Sequence, residues 1–255
     1  PLSNVLALAV DRANQLWVGT DAGLARLADN RWQTYSLADG LPDSTVTALA
    51  VGSDDRLWLA TPGGLARTDG LAFETFLPGA AASGIVAELT FVALAPRPDG
   101  SVVVALGGAE PQLVRFDPDT ARSESLSIPS SLGGAAVSTL LADGRGAVWA
   151  GAGDRLFPIG VPDGIVLTAP SDLPDAIVSD MAFAGDALWL ATADGVARFD
   201  GRWRTFTAAD GLAGDEAQAL AVAPDGSLWA AFDTPLRGLS RYAGAVGSVR
   251  VRPHC

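Results

Sequence analysis

The sequence predicts an all-β fold built from six copies of one four-stranded antiparallel sheet. A short apolar strand with a central anchor residue, in most copies a tryptophan, recurs every 40 to 46 residues, and an alternating apolar strand precedes each one. No segment shows the 3.6-residue period of an amphipathic helix. The 255 residues are 49% hydrophobic and 18% charged, which is enough apolar material for the core of one large β domain.

The second strand of each repeat gives the most regular signal. Its anchors are Trp17, Trp58, Val103, Trp149, Trp189 and Trp229, spaced 41, 45, 46, 40 and 40 residues apart. Sheets that diverge from a common axis leave a wedge between them, and a large aromatic side chain fills such a space well. We therefore expect Trp17, Trp58, Trp149, Trp189 and Trp229 to have a structural role between neighbouring sheets.

The other three strands occupy fixed places around the anchors. The first strands are predicted at Val5–Val10, Val46–Val51, Leu89–Ala95, Val137–Ala142, Ile177–Ala184 and Ala217–Ala223. Turns rich in Asp and Gly join them to the second strands, because Gly adopts positive φ and Asp bonds its own turn backbone. The third strands read Gly-Leu-Ala-Arg or similar in four repeats. The fourth strands are predicted at Trp32–Leu37, Phe73–Leu77, Ser123–Ile128, Ile165–Thr168, Trp203–Thr207 and Val246–Val251.

Six such sheets bury their faces best when they are arranged radially, as in a β-propeller. We predict a six-bladed β-propeller with four antiparallel strands per blade, and a ring that closes without strand exchange because each blade comes from one continuous segment. The whole chain, residues 1–255, is expected to be a single domain. The predicted blades are residues 1–42, 43–84, 85–130, 131–175, 176–214 and 215–255.

The repeats also resemble a known family. The segment from Leu57 to Arg67 and its counterpart from Leu16 to Arg26 are similar to the two-component regulator propeller repeat, and Asp39-Gly40-Leu41-Pro42 is similar to its inter-blade link. The third and fourth repeats depart from the pattern. This resemblance implies a ligand-sensing propeller outside the cytoplasm of a bacterial cell, in proteins that signal across the membrane.

Charge and composition narrow the range of partners. Twenty-nine acidic residues face 17 basic ones, giving a net charge of −12, so a nucleic acid is an unfavourable partner. The longest apolar runs are far shorter than the roughly 20 residues of a membrane helix, so this segment is not expected to insert, although flanking sequence is a candidate anchor. The sequence begins at Pro1 without a signal segment, which indicates a processed chain or a piece of a longer one.

Catalytic residue types are scarce. The single histidine, His254, and the single cysteine, Cys255, both lie beyond the last predicted strand, so we assign no catalytic residue and no metal ligand. Virginiamycin B lyases have a similar Gly-rich, Trp-containing repeat, and that family relies on a histidine and a metal. Chemistry that uses carboxylates alone, as in a lyase or hydrolase, stays open as a third possibility.

Acidic residues concentrate in two kinds of loop that propeller geometry gathers on one rim: the turn between second and third strands, and the link to the next blade. The predicted rim residues are Asp21, Asp39, Asp43, Asp154, Asp172, Asp175, Asp194, Asp210, Asp215 and Asp233. Such a rim suits a cationic small molecule or a basic protein surface, and Ca²⁺ is a possible ligand although no cofactor is required. A solvated rim without any ligand is the simpler alternative.

A column of arginines recurs on the third strands, at Arg26, Arg67, Arg115, Arg198 and Arg241. Stacking on neighbouring aromatic rings, or pairing with acidic residues of the same blade, is favoured over an anion-binding ring. Together these features predict a non-catalytic binding module that senses a ligand. The alternative is a scaffold subunit of a larger bacterial assembly.

Overall fold

The computed structural model describes residues 4–76, 90–107, 112–128, 136–143, 146–159, 167–168, 177–222, 226–232, 239–242 and 249–251. These residues form six four-stranded antiparallel sheets in which every strand neighbours the next one in the chain. No strand in this part of the chain is exchanged between sheets. The prediction of an all-β, six-bladed propeller is confirmed, and the extent of the single domain stays a prediction.

The first three blades lie in the first half of the chain. Blade one comprises β1 (Val5–Val10), β2 (Leu16–Thr20), β3 (Gly23–Ala28) and β4 (Arg31–Tyr35). Blade two comprises β5 (Ala48–Val51), β6 (Leu57–Thr61), β7 (Gly64–Thr68) and β8 (Phe73–Phe76). Blade three comprises β9 (Thr90–Pro96), β10 (Val102–Gly107), β11 (Gln112–Asp117) and β12 (Arg122–Leu126).

The remaining blades follow the same order. Blade four comprises β13 (Val137–Ala142), β14 (Val148–Ala152), β15 (Arg155–Pro158) and β16 (Leu167–Thr168). Blade five comprises β17 (Val178–Ala184), β18 (Ala187–Thr192), β19 (Gly195–Phe199) and β20 (Trp203–Phe206). Blade six comprises β21 (Ala217–Val222), β22 (Leu228–Phe232), β23 (Leu239–Tyr242) and β24 (Val249–Val251). These bounds differ by a few residues from the predicted ones.

The chain divides into two compact units, Pro1–Val148 and Trp149–Cys255. In the first unit, Trp17 is 2% exposed and stacks on Tyr35 with ring centroids 5.8 Å apart, while Tyr35 meets Phe73 of blade two edge-on at 5.4 Å. Trp58 is also 2% exposed and stacks on Phe76 at 5.5 Å. Burying a large apolar side chain contributes about 1.5–3 kcal/mol, and a ring pair adds about 0.5–1.5 kcal/mol.

The second unit repeats this arrangement between blades five and six. Trp189, 2% exposed, stacks on Phe206 at 5.7 Å and lies 4.8 Å from the ring of Tyr242, again measured between centroids. Trp149 and Trp229 are only half-buried. Three of the five predicted anchor tryptophans are thus fully enclosed, while the structural role of the other two stays a prediction.

Turns between first and second strands carry the aspartates predicted for them. Asp11 accepts a hydrogen bond from Gln15 N at 2.8 Å and one from the indole Nε1 of Trp17 at 3.0 Å, so this turn is tied to the anchor. Asp99 accepts from Ser101 N at 3.0 Å, and Asp143 accepts from Ala147 N at 2.8 Å. The predicted turn role of these three carboxylates is confirmed.

Candidate functional site

The links between blades are built from a short polar turn that occurs twice in the described chain. After β4, a single 3-10 turn spans Leu37–Asp39, and the carboxylate of Asp39 accepts hydrogen bonds from Ser36 N at 2.8 Å and Ser36 Oγ at 2.9 Å. Gly40 follows with φ of 105°, in the left-handed region that glycine adopts freely. Leu41 then returns to the core at 4% exposure. The link is therefore a fixed turn with its apex in solvent.

The second copy follows β20. The carboxylate of Asp210 accepts hydrogen bonds from Thr207 N at 2.9 Å and Thr207 Oγ1 at 3.2 Å, around a 3-10 turn at Ala208–Asp210. Asp215 accepts a further hydrogen bond from Ala208 N. Both carboxylates thereby close the turn, a role in which short polar side chains satisfy backbone donors.

The turns between second and third strands have their own repeated device. A buried threonine at the end of the second strand donates its hydroxyl proton to a glycine carbonyl three residues on, at 2.9 to 3.0 Å. The pairs are Thr20 with Gly23, Thr61 with Gly64, and Thr192 with Gly195. In the first unit this turn lies against the link, since a Cβ on Gly63 would stand 2.5 Å from the carbonyl oxygen of Pro42.

The predicted rim residues have different environments. The exposed ones are Asp21, Asp39, Asp154, Asp210 and Asp215, the half-buried ones are Asp43 and Asp194, and Asp172, Asp175 and Asp233 lie outside the described residues. Asp43 accepts a hydrogen bond from Thr45 N at 2.9 Å, and Asp154 lies 3.7 Å from Arg155 Nε. Four of these carboxylates, those of Asp39, Asp43, Asp210 and Asp215, are thus engaged by main-chain donors, and a ligand-binding role for the rim stays a prediction.

A metal site needs several ligands on one ion, and Ca²⁺ takes six to eight oxygens. Within the described ranges, no three acidic, histidine or cysteine side chains lie together in a way that would hold a metal ion. The carboxylates of Asp39 and Asp210 instead point back to their own turns. Ca²⁺ at the rim is therefore a possibility that the geometry of these two turns does not favour.

The repeat pattern did not single out Asp180, a carboxylate on the first strand of blade five. Its Oδ2 accepts a hydrogen bond from Leu220 N at 2.8 Å, which joins β17 to β21 of the next blade, and its Oδ1 accepts from Met181 N at 2.8 Å. In four other blades the position paired in the same way is alanine: Ala7, Ala48, Ala93 and Ala219. The break in the repeat was visible in the sequence once the first strands were aligned by register.

We predict that Asp180→Ala destabilises the protein by about 1–3 kcal/mol, because the half-buried Leu220 N–H loses its acceptor. Amide hydrogen exchange should also speed up at Leu220. Asp180→Asn is the matched control, since its side-chain oxygen still accepts one of the two hydrogen bonds, and it should lose less stability. Equal losses in the two variants, with unchanged exchange at Leu220, would contradict this account.

The column of arginines stacks on the anchor tryptophans. The guanidinium carbon lies 5.1 Å from the ring centroid for Arg26 over Trp17, 5.4 Å for Arg67 over Trp58, and 5.7 Å for both Arg198 over Trp189 and Arg241 over Trp229. Arg67 also bonds Glu74 at 2.6 Å, and Arg198 pairs with Asp200 at 2.6 Å. The predicted stacking and pairing are confirmed. The Arg26 guanidinium also lies beside blade two, since a Cβ on Gly70 would stand 2.5 Å from its Nη1.

Blade three lacks an anchor tryptophan, and its arginine is used differently. Arg115 donates to Ser101 Oγ at 3.2 Å and bonds Asp99 at 3.1 Å, and Arg97 also lies 3.1 Å from Asp99. Burial of the Asp99 carboxyl would by itself raise its pKa. The hydrogen bonds from Ser101 and the charges of Arg97 and Arg115 outweigh burial and lower the pKa of Asp99 below its usual 3.8.

This lowered pKa predicts an acid-sensitive contribution to stability. The folded protein holds the Asp99 proton less tightly than the unfolded chain, so the contribution is complete at neutral pH and is lost as pH falls through the folded pKa. We expect Asp99→Asn to unfold at a lower temperature than the parent protein at pH 7. The difference in unfolding temperature between the two proteins should narrow as the pH falls from about 5 to about 2. If thermal unfolding at several pH values in this range shows a constant difference, the Asp99 carboxylate does not stabilise the fold through its charge.

A small crevice of about 20 Å³ lies between blades five and six. Its walls include Trp189, Phe206, Leu212 and Tyr242, all belonging to the packing between the two blades. Ser240 and Arg241 also line it. In the described part of the chain, no helix has the length and apolarity required to cross a bilayer.

The repeated sheets, anchor stacks and links define this chain as a β-propeller repeat protein. Residues 40–63, which include the link at Gly40 and the Thr61 turn, match the family model described as two component regulator propeller. The resemblance inferred from the repeats is therefore confirmed. Among curated proteins, none matches the chain in sequence.

Solved structures with the same fold come from several bacterial proteins. A catalytically inactive virginiamycin B lyase from Staphylococcus aureus, with a histidine replaced by alanine and with quinupristin, is similar at a TM-score of 0.75 and 14% identity over 98% of this chain and 84% of the lyase. The extracellular domain of a protein described as a hybrid two component system of B. thetaiotaomicron is similar at a TM-score of 0.65 and 18% identity over 94% of this chain. PorZ, an essential surface component of the type-IX secretion system of Porphyromonas gingivalis, is similar at a TM-score of 0.67 and 12% identity over 100% of this chain. The match covers only 34% of the two component system chain and 33% of the PorZ chain.

Proposed function

We propose that this chain is a non-catalytic binding module that lies outside the cytoplasm of a bacterial cell and senses a ligand as part of a signalling protein. The observation that carries the proposal is the regulator propeller repeat at residues 40–63, together with a fold shared with the extracellular domain of a two component system. That domain is part of a longer chain, and this chain matches about a third of it.

The link turns support a binding role. Hydrogen bonds from Ser36 and Thr207 to the carboxylates of Asp39 and Asp210 fix each turn, so the exposed tips lie on a rigid frame. Loops held in this way on a stable scaffold are where many proteins contact their ligands. Leu37 is 59% exposed at one such tip, which provides an apolar contact beside the acidic side chains. We infer that a partner or ligand meets the protein at the turn that carries Leu37 and Asp39.

The scarcity of histidine supports a non-catalytic role over lyase chemistry. The S. aureus lyase variant that lacks one histidine is described as catalytically inactive. The 255 residues of this chain contain one histidine, His254, which lies outside the described residues. Incubation with quinupristin should leave that compound unchanged by liquid chromatography, and a new product that forms only in the presence of the protein would overturn the non-catalytic proposal.

A scaffold role is the second candidate, and the likeness to PorZ favours it. PorZ is an essential surface component of a secretion system, and this chain has the same fold over its whole length. In the scaffold proposal the exposed link turn at Leu37–Asp39 binds another subunit of the assembly. Both candidates place the chain outside the cytoplasm.

Location is tested first on intact cells of a bacterium that makes the protein. We expect externally added protease, or protease added after release of the outer membrane, to degrade the chain while a cytoplasmic marker protein survives. Degradation only after complete lysis would contradict both the sensing and the scaffold proposals.

Binding at the rim is tested on the purified chain with Ca²⁺ and with putrescine, followed by thermal unfolding. We expect a cationic probe to raise the unfolding temperature of the parent protein and to lose this effect in Asp21→Asn. Asp29→Asn is the matched control, because Asp29 is equally exposed in blade one but lies at the other end of β3. If neither Ca²⁺ nor putrescine raises the unfolding temperature at saturating concentration, the proposal of a cationic ligand is contradicted and the scaffold proposal is favoured.

A further inference from the structure

We draw no further inference here: the strongest candidate, the apolar face that Leu6, Leu8 and Val10 expose on the first strand of blade one, carries nothing because the structure does not show what covers it.

Discussion

Replacing Trp58 with alanine is expected to cost about 3–5 kcal/mol of unfolding free energy. Its indole is 2% exposed, stacks on Phe76 and belongs to a core cluster that includes Phe91 and Leu94 of blade three. Truncation removes the transfer free energy of the ring and leaves a cavity that the rigid sheets fill only in part. It also removes one of the two rings over which the guanidinium of Arg67 lies, the other being Phe76.

Trp32 is the matched control for this substitution. It lies on β4 at 50% exposure, so Trp32→Ala removes the same side chain from a site with far less enclosed area. We expect it to cost less than about 1.5 kcal/mol. Urea unfolding followed by circular dichroism measures both variants, and the loss at Trp58 corresponds to a fall of roughly 10 °C in unfolding temperature.

The comparison decides whether wedge filling holds the blades together. If Trp58→Ala unfolds at the same urea concentration as Trp32→Ala, the anchor tryptophans do not supply the energy of blade packing. In that case the backbone hydrogen bonds of each sheet would have to sustain the fold. A smaller dependence of the unfolding free energy on urea concentration in Trp58→Ala would instead indicate that unfolding is no longer two-state or that the denatured state is more compact.

The sequence was sufficient for the architecture because the same chemistry repeats. In blades one, two and five, a second-strand tryptophan, a third-strand arginine and a fourth-strand ring recur at nearly the same spacing, as in Trp58, Arg67 and Phe76. A single copy of the four-strand repeat would have been ambiguous, whereas six copies of that repeat leave few alternatives. The departure at Val103 was also visible, but its consequence for Arg115 was not. A guanidinium without a ring beneath it was free to pair with either acidic neighbour.

The rim was harder to predict because counting carboxylates does not reveal what they bind. Asp39 and Asp210 each follow a hydroxyl residue by three positions, and the structure uses that spacing to close a turn. This Ser/Thr-x-x-Asp spacing is a local signal that the sequence offered, since it matches the geometry of a capping box. Asp180 required more information, because its partner Leu220 is 40 residues away in the next blade.

Gly23→Ala is the second substitution with a large expected effect. Gly23 opens β3 with φ of +134°, a region that L residues with a side chain rarely adopt, and a Cβ there would stand 2.5 Å from the carbonyl oxygen of Tyr35. The backbone strain alone costs about 1–3 kcal/mol, and the clash displaces β4 or the turn that Thr20 closes through the Gly23 carbonyl. We expect a total loss of about 3 kcal/mol or more.

Gly153→Ala separates conformational strain from the clash. Gly153 occupies the equivalent turn of blade four with φ of +58°, and a Cβ there meets nothing within 4 Å. Its left-handed conformation costs an alanine about 1–2 kcal/mol. Gly23→Ala should therefore unfold at a clearly lower temperature than Gly153→Ala. An equal loss in both variants would mean that β4 moves away at little cost, and the close approach of the Tyr35 carbonyl would then not explain why glycine is required at position 23.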